Sequence, residues 1–393
     1  MVDAGALLQR LRAETDTMVA AIERLAAIDS GSGDDHGITR VCEAFADVLT
    51  TAGFVVRPRA EGGLGAALTL PGTGGGRVLL LGHADTVWPS GTAATWASAR
   101  GDGMLHGPGV GDMKGCLVMA AHAAAAARDA GALAGVGEVE LLVIPDEELG
   151  SVASRPWIEE RAAGAAGCLG LEAGWPGGGV VVERGAVGAV TVIAAGRTAH
   201  AAGHEGRGAS AVAALAPLVT ALEALSRSEE DVLVSVGVFR GGVARQVVPD
   251  HAELSLDLRA PNQERADALM DAVTATVRDA HAPEITLTLS GGITRPAWPR
   301  SASAWLWERA RDRAAQLNVP LEAVSSRGGS DASFAAALGV PTLDGLGPIC
   351  HDSCARGERI EIASLAERAA LMALLIADLG AQARDSGNVD APA

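Results

Sequence analysis

The sequence predicts an α/β protein, a mostly parallel sheet flanked by helices, with a smaller α+β domain inserted into it. Three observations carry that expectation. Short apolar runs of strand length, Val78–Leu81, Val139–Ile144 and Cys168–Leu171, are separated by helical stretches in the first half, and strands spaced by helices pair in parallel with both faces covered. From about Glu183 the order changes to strands interrupted by two helices, and after Arg295 helix and strand alternate again. A chain of 393 residues is also too long for one ordinary core. The expected division is 1–182 and 295–393 for the larger domain and 183–294 for the inserted one.

Taken in order, the N-terminal stretch reads as an amphipathic helix with charges breaking its apolar positions, so no signal peptide is expected. Val78–Leu81 is the first buried strand, followed by an alanine-rich helix over Gly115–Ala130. Val139–Ile144, a helix over Ser154–Ala163 and Cys168–Leu171 complete the first part. In the insert, Gly188–Ala195, Val232–Phe239, Ala252–Leu258 and Ile285–Leu289 read as strands. Ala209–Leu225 and Gln263–Ala280 read as helices. A long helix, Ile362–Leu379, closes the fold.

With 31 Lys and Arg against 48 Asp and Glu, the formal net charge is -17. Such a field repels nucleic-acid phosphates and anionic lipid, so neither partner is expected. The five cysteines, Cys42, Cys116, Cys168, Cys350 and Cys354, are odd in number and irregularly spaced. They read as reduced thiols of a cytoplasmic protein.

The chemistry concentrates in segments that follow apolar strands. GHADTVWP carries His83 and Asp85, GPGVGDMKG carries Asp112, IPDEELGS carries Glu147 and Glu148, and LGLEAG carries Glu172. Taken singly, each has a plain reading as a loop histidine, a solvated acid pair or a glycine turn. Together, in order, at strand ends where open parallel sheets gather ligands, they point to one cleft. One imidazole among carboxylates suits zinc or a similar divalent ion, and a second ion would need a bridging carboxylate. Asp85, two residues from His83, can hold the second imidazole nitrogen. The adjacent Glu147 and Glu148 diverge, so one can bind metal while the other acts as general base.

These blocks resemble the carboxypeptidase G, aminoacylase and acetylornithine deacetylase family of di-zinc amidohydrolases, over about Met18 to Leu379. The resemblance implies a zinc-peptidase-like catalytic domain with an inserted lid and dimerisation domain. It implies two Zn2+ per subunit, with Co2+ or Mn2+ as substitutes, and a homodimer. His83 and Glu172 would hold one ion, Glu148 the other, and Asp112 would bridge them ahead of a cis peptide bond to Met113. Glu147 would be the base, with Asp85 orienting His83. GRTAHAAGHEG resembles the segment whose histidine, here His200, reaches the active site of the partner subunit to stabilise the oxyanion. Arg295, Gly328 to Ser333 and, more weakly, Arg259 resemble positions that line the cleft and bind a substrate carboxylate.

Two departures stand out. Where the family carries a late metal-binding His, GPICHDSCARGE places Cys354, with His351 three residues earlier. Either could complete the second metal site, and ligand chemistry favours the thiolate. RQVVP carries Gln246 where related sequences have Asn, the same amide on a longer arm. The expected activity is hydrolysis of an amide in an N-acyl or peptidyl amino acid with a free carboxylate, glutamate carboxypeptidase-like. Deacylase or dipeptidase activity at the same site, and a catalytically silent ligand-binding homologue, are the alternatives.

Overall fold

In the computed structural model, β1 (Val55–Pro58), β2 (Leu64–Thr69), β3 (Gly76–His83), β4 (Val136–Ile144), β5 (Gly167–Gly170) and the short strand Thr342–Leu343 form one sheet. Residues 2–59, 63–69, 76–203, 207–280 and 284–387 are described. The strand order is β1, β2, β4, β3, β5 and Thr342–Leu343. β3 runs parallel to both β4 and β5, and β5 parallel to Thr342–Leu343, while β1 and β2 form an antiparallel edge. The α/β class with a parallel-rich sheet is therefore as the sequence predicts.

Along β3, β4 and β5 both faces of this sheet are buried, which explains why these strands read as unbroken apolar runs. Val78 and Leu80 of β3 pack with Val139, Leu141 and Val143 of β4 into one core. Leu79 and Leu81 pack with Leu142 and Ile144 into another on the opposite face. The period of two is present but hidden, because neither face meets water. The first core also takes the helix Gly115–Asp129, whose Cys116–Ala121 and Ala123–Ala127 stretches are all buried, and much of the helix Ile362–Gly387. Alanine on every side lets this helix lie close between its neighbours, so the protein builds its interior with few aromatics. Each fully buried Leu contributes about 1.5–3 kcal/mol.

The N-terminal stretch expected as one helix is two, Ala4–Ala13 and Thr15–Ala26. The break falls at Glu14, whose carboxylate takes Arg10 Nε at 3.0 Å and faces His122 Nδ1 at 2.6 Å. The closing helix, expected to stop at Leu379, continues to Gly387.

The chain divides into two compact units, one of Met1–Glu183, Arg300–Ser325 and Ser330–Ala393, the other of Arg184–Pro299 and Ser326–Gly329. In the second, β6 (Ala186–Ala195), β7 (Leu233–Gly241), β8 (His251–Ala260) and β9 (Thr286–Arg295) form an antiparallel sheet ordered β7, β8, β6, β9. Helices Ala211–Glu223 and Gln263–Arg278 lay Leu215, Leu218, Leu222, Leu269 and Val273 against Val190, Val192, Leu254, Leu256 and Leu258. Ser210 and Asn262 cap these helices by accepting main-chain N–H groups. No helix among the described residues is long and apolar enough to cross a membrane.

Candidate metal centre

The sheet order decides which side chains can meet. β3 lies between β4 and β5, and all three point their carboxyl ends the same way. His83 is the last residue of β3, Glu147 and Glu148 open the short turn after β4, and Glu172 follows β5 by two residues. Asp112 comes from the glycine-rich loop that opens the helix Gly115–Asp129, and its peptide bond to Met113 is cis. Ligand atoms of His83, Asp112 and Glu148 all lie within 4.8 Å of one another. His83 Nε2 is 3.2 Å from Asp112 Oδ1 and 3.9 Å from Glu172 Oε1.

The other face of the imidazole is fixed from behind. His83 Nδ1 stands 2.9 Å from the main-chain oxygen of Asp85 and 3.3 Å from its Oδ1. The Asp85 carboxylate is wholly buried. It also accepts the N–H of Glu147 at 3.2 Å, the N–H of Glu148 at 3.1 Å and the Ser32 hydroxyl at 2.8 Å. One acid thus sets both the ring and the turn that carries the two glutamates.

Three neighbouring acids cannot all hold a negative charge cheaply in such a site. Burial, helped by the charge of Asp112, pushes the Glu148 carboxyl up to about 8. Burial and Asp112 also push Glu172 well above the ordinary carboxyl range. Burial alone would pull His83 down, yet the Asp112 and Asp85 carboxylates hold it well above its ordinary value. Asp112 and Asp85 themselves sit low despite burial, because the imidazole faces them. Glu148 Oε1 is buried with no hydrogen-bond partner among the described residues, while the equally buried Asp112 Oδ1 faces the His83 ring at 3.2 Å. An acceptor left bare at this depth costs about 1–3 kcal/mol, and a divalent cation satisfies several such oxygens at once. The donor set, one imidazole nitrogen with carboxylate oxygens, fits zinc.

The late loop divides the two second-site candidates. Cys354 Sγ lies 3.2 Å from Asp112 Oδ2. His351 sits in the strand Cys350–His351, and its Nε2 meets Glu361 Oε1 at 2.8 Å.

The remaining expected site residues belong to the other unit. His200 is exposed, and its Nδ1 accepts the N–H of Ala202 at 3.1 Å, so the neutral ring carries its proton on Nε2. His204 to Gly206 of the same motif lie outside the described residues. Gln246 is exposed, with its main-chain oxygen accepting from Ala201 at 2.9 Å. Arg259 is held by Asp257 through Nε at 2.7 Å and Nη2 at 3.0 Å. Arg295 is only 3 % exposed.

Three positioning groups escaped the sequence reading. Ser32 donates its hydroxyl to the Asp85 carboxylate. Buried Asp344 accepts the N–H of Glu172 at 3.3 Å. Buried Glu358 accepts the N–H groups of Gly111 at 2.8 Å, Asp112 at 3.1 Å and Gly109 at 3.3 Å. The only available signal was for Glu358, an acid four residues after Cys354 in the same loop.

A family model described as Peptidase family M20/M25/M40 matches residues 79–378. Carboxypeptidase G2 of Pseudomonas sp. (strain RS-16) is 27% identical over 387 residues, covering 95% of this chain and 92% of the relative. Succinyl-diaminopimelate desuccinylase of Rhizorhabdus wittichii is 30% identical over 292 residues, covering 67% of this chain and 73% of the relative. Among solved structures, an M20 family metallo-carboxypeptidase from Sulfolobus solfataricus superposes with a TM-score of 0.75 at 15% identity. It covers 93% of this chain and 99% of that one, a likeness of fold.

Proposed function

Because this chain belongs to peptidase family M20/M25/M40, we propose that it hydrolyses the amide bond of an N-acyl or peptidyl amino acid with a free carboxylate. It is a metal-dependent hydrolase of that family, with a substrate class like that of a glutamate carboxypeptidase. The supporting observation is the cluster of His83, Asp112 and Glu148 with Glu172 beside it and the buried Glu148 Oε1 left bare. The near full-length likeness to carboxypeptidase G2 supports the substrate class.

His83 and Glu172 would hold one zinc ion and Glu148 a second, with Asp112 shared between them. When bound, such ions supply Lewis acidity, making water more acidic and a carbonyl more electrophilic. The protein's own groups do the rest. Glu147 takes the proton of the attacking water as its oxygen bonds to the amide carbon, then delivers that proton to the leaving nitrogen as the C–N bond breaks. Asp85 keeps Glu147 and Glu148 in place through their N–H groups. His200, with its proton on Nε2, serves as the oxyanion donor, reaching the site of the partner subunit in a homodimer. Arg295, Gln246 and Arg259 are the proposed contacts to the substrate carboxylate and carbonyl. The enzyme acts in the cytoplasm on small molecules.

The likeness to succinyl-diaminopimelate desuccinylase favours a second reading, an N-acyl amino acid deacylase at the same site. Turnover of folate-like glutamyl amides, N-acyl amino acids and dipeptides, measured side by side, separates the two. Glu147→Gln should cut turnover by about 100- to 10,000-fold with zinc content unchanged. Retained turnover removes Glu147 from the role of base.

A further inference from the structure

Asp112 faces two ways. Its Oδ1 lies 3.2 Å from His83 Nε2, while its Oδ2 lies 3.2 Å from both Cys354 Sγ and Ser353 Oγ. Cys354 is also the one exposed cysteine, the other four being buried. Its φ of 59° is in the left-handed region, which is uncommon for a residue with a side chain.

Glu358, four residues on, binds three main-chain N–H groups of the Asp112 loop through its carboxylate and takes Trp88 Nε1 at 3.2 Å. The Arg356 guanidinium stacks over Trp88 at 5.5 Å and Trp96 at 5.4 Å. Asp352 pairs with Arg359. The loop that carries the thiol is therefore tied directly to the loop that carries the carboxylate. His351 is tied elsewhere, to Glu361.

We propose that Cys354 is the thiolate ligand of the second cation, on the Oδ2 side of Asp112, and that His351 serves only to hold Glu361. This rests on the two-cation reading above and names the chemistry of its second half. On loading, the S–H proton passes to solvent and a metal–sulfur bond forms. A thiolate in that place makes the half-site softer than an imidazole would, favouring zinc over manganese.

The test is metal analysis and electronic absorption of the full chain loaded with cobalt(II). The expected result is two equivalents per chain with a near-ultraviolet thiolate-to-cobalt charge-transfer band. C354A should lose the band and one equivalent. C354H should recover the equivalent without the band, and H351A should keep both. Two equivalents without a thiolate band in the unaltered protein overturn the Cys354 assignment while leaving the two-cation reading intact. Loss of the second equivalent in H351A also overturns it. A single equivalent in the unaltered protein overturns the two-cation reading, and this inference with it.

Discussion

Asp85 and His83 are joined twice, through the main-chain oxygen of Asp85 at 2.9 Å and its Oδ1 at 3.3 Å, both facing Nδ1. The same buried carboxylate accepts the N–H groups of Glu147 and Glu148. The imidazole and the turn bearing two acids thus share one anchor, so a disturbance of Asp85 reaches both the proposed metal site and the proposed base.

Asp85→Asn tests that sharing. The amide keeps one acceptor oxygen and turns an NH2 toward donors that need an acceptor. Zinc affinity and kcat should each fall by about 10- to 100-fold, the usual effect of removing a partner that orients a metal ligand. A competing fluorescent chelator reads the affinity. If only kcat moved, the anchor would serve the glutamate turn and not the ring.

The protonation state of the metal-free centre gives a pH dependence with a definite sign. Burial and Asp112 raise Glu148 from its ordinary 4.5 to about 8, and His83 is held above its ordinary 6.5. A raised group contributes stability that is whole below its unfolded value and fades as pH rises through its folded one. Metal-free protein should therefore lose thermal stability between about pH 5 and pH 8. Cation uptake needs the carboxylate charged and the imidazole neutral, so it should expel protons and tighten across the same interval. Calorimetry in two buffers of different ionisation enthalpy counts the protons. Uptake at neutral pH with no proton release would contradict these protonation states.

Glu172 has an anchor of its own. Asp344 Oδ1 accepts the N–H of Gly345 at 2.7 Å and that of Glu172 at 3.3 Å. A Cβ added at Gly170 would stand 2.3 Å from that same oxygen. Gly170→Ala should cost about 1–3 kcal/mol of stability and weaken zinc binding through Glu172. Gly101→Ala, where a Cβ meets nothing within 4 Å among the described residues, is the control. Equal denaturation midpoints for the two variants would show that Asp344 moves aside without effect.

What was legible in the sequence follows from where the information lies. His83, Glu148 and Glu172 each stand at a fixed short distance from an apolar strand, so strand order brings them together, and Asp112 stands just before the apolar helix packed on that sheet. Leu79 and Leu81 reveal a strand by length and composition, although burial of both faces hides their alternation. Ser32, Asp344 and Glu358 were not legible, because they act on main-chain N–H groups brought near only by folding. Ser32 reaches Asp85 across 53 positions and Glu358 reaches Gly111 across 247. The burial of Arg295 and the pairing of Arg259 with Asp257 were likewise out of reach, since a sequence shows a guanidinium but not its neighbours. The break at Glu14 went unseen because nothing at that position opposes a helix locally.

Glu358 offers the strictest check on how the centre is held. Its Oε1 takes Gly111 and Asp112, and its Oε2 takes Gly109 and Trp88 Nε1. Glu358→Gln replaces one of these oxygens by an NH2 group, leaving two donors facing a donor. Each buried donor so stranded costs about 1–3 kcal/mol, so the melting temperature should fall. If the carboxylate only supported the fold, the loss would end there, with zinc affinity unchanged in the protein that remains folded. Because it fixes the N–H of Asp112 itself, zinc affinity should fall as well, while Glu358→Ala should do more damage to both. A variant of lowered melting temperature with undiminished zinc affinity would separate Glu358 from the metal centre.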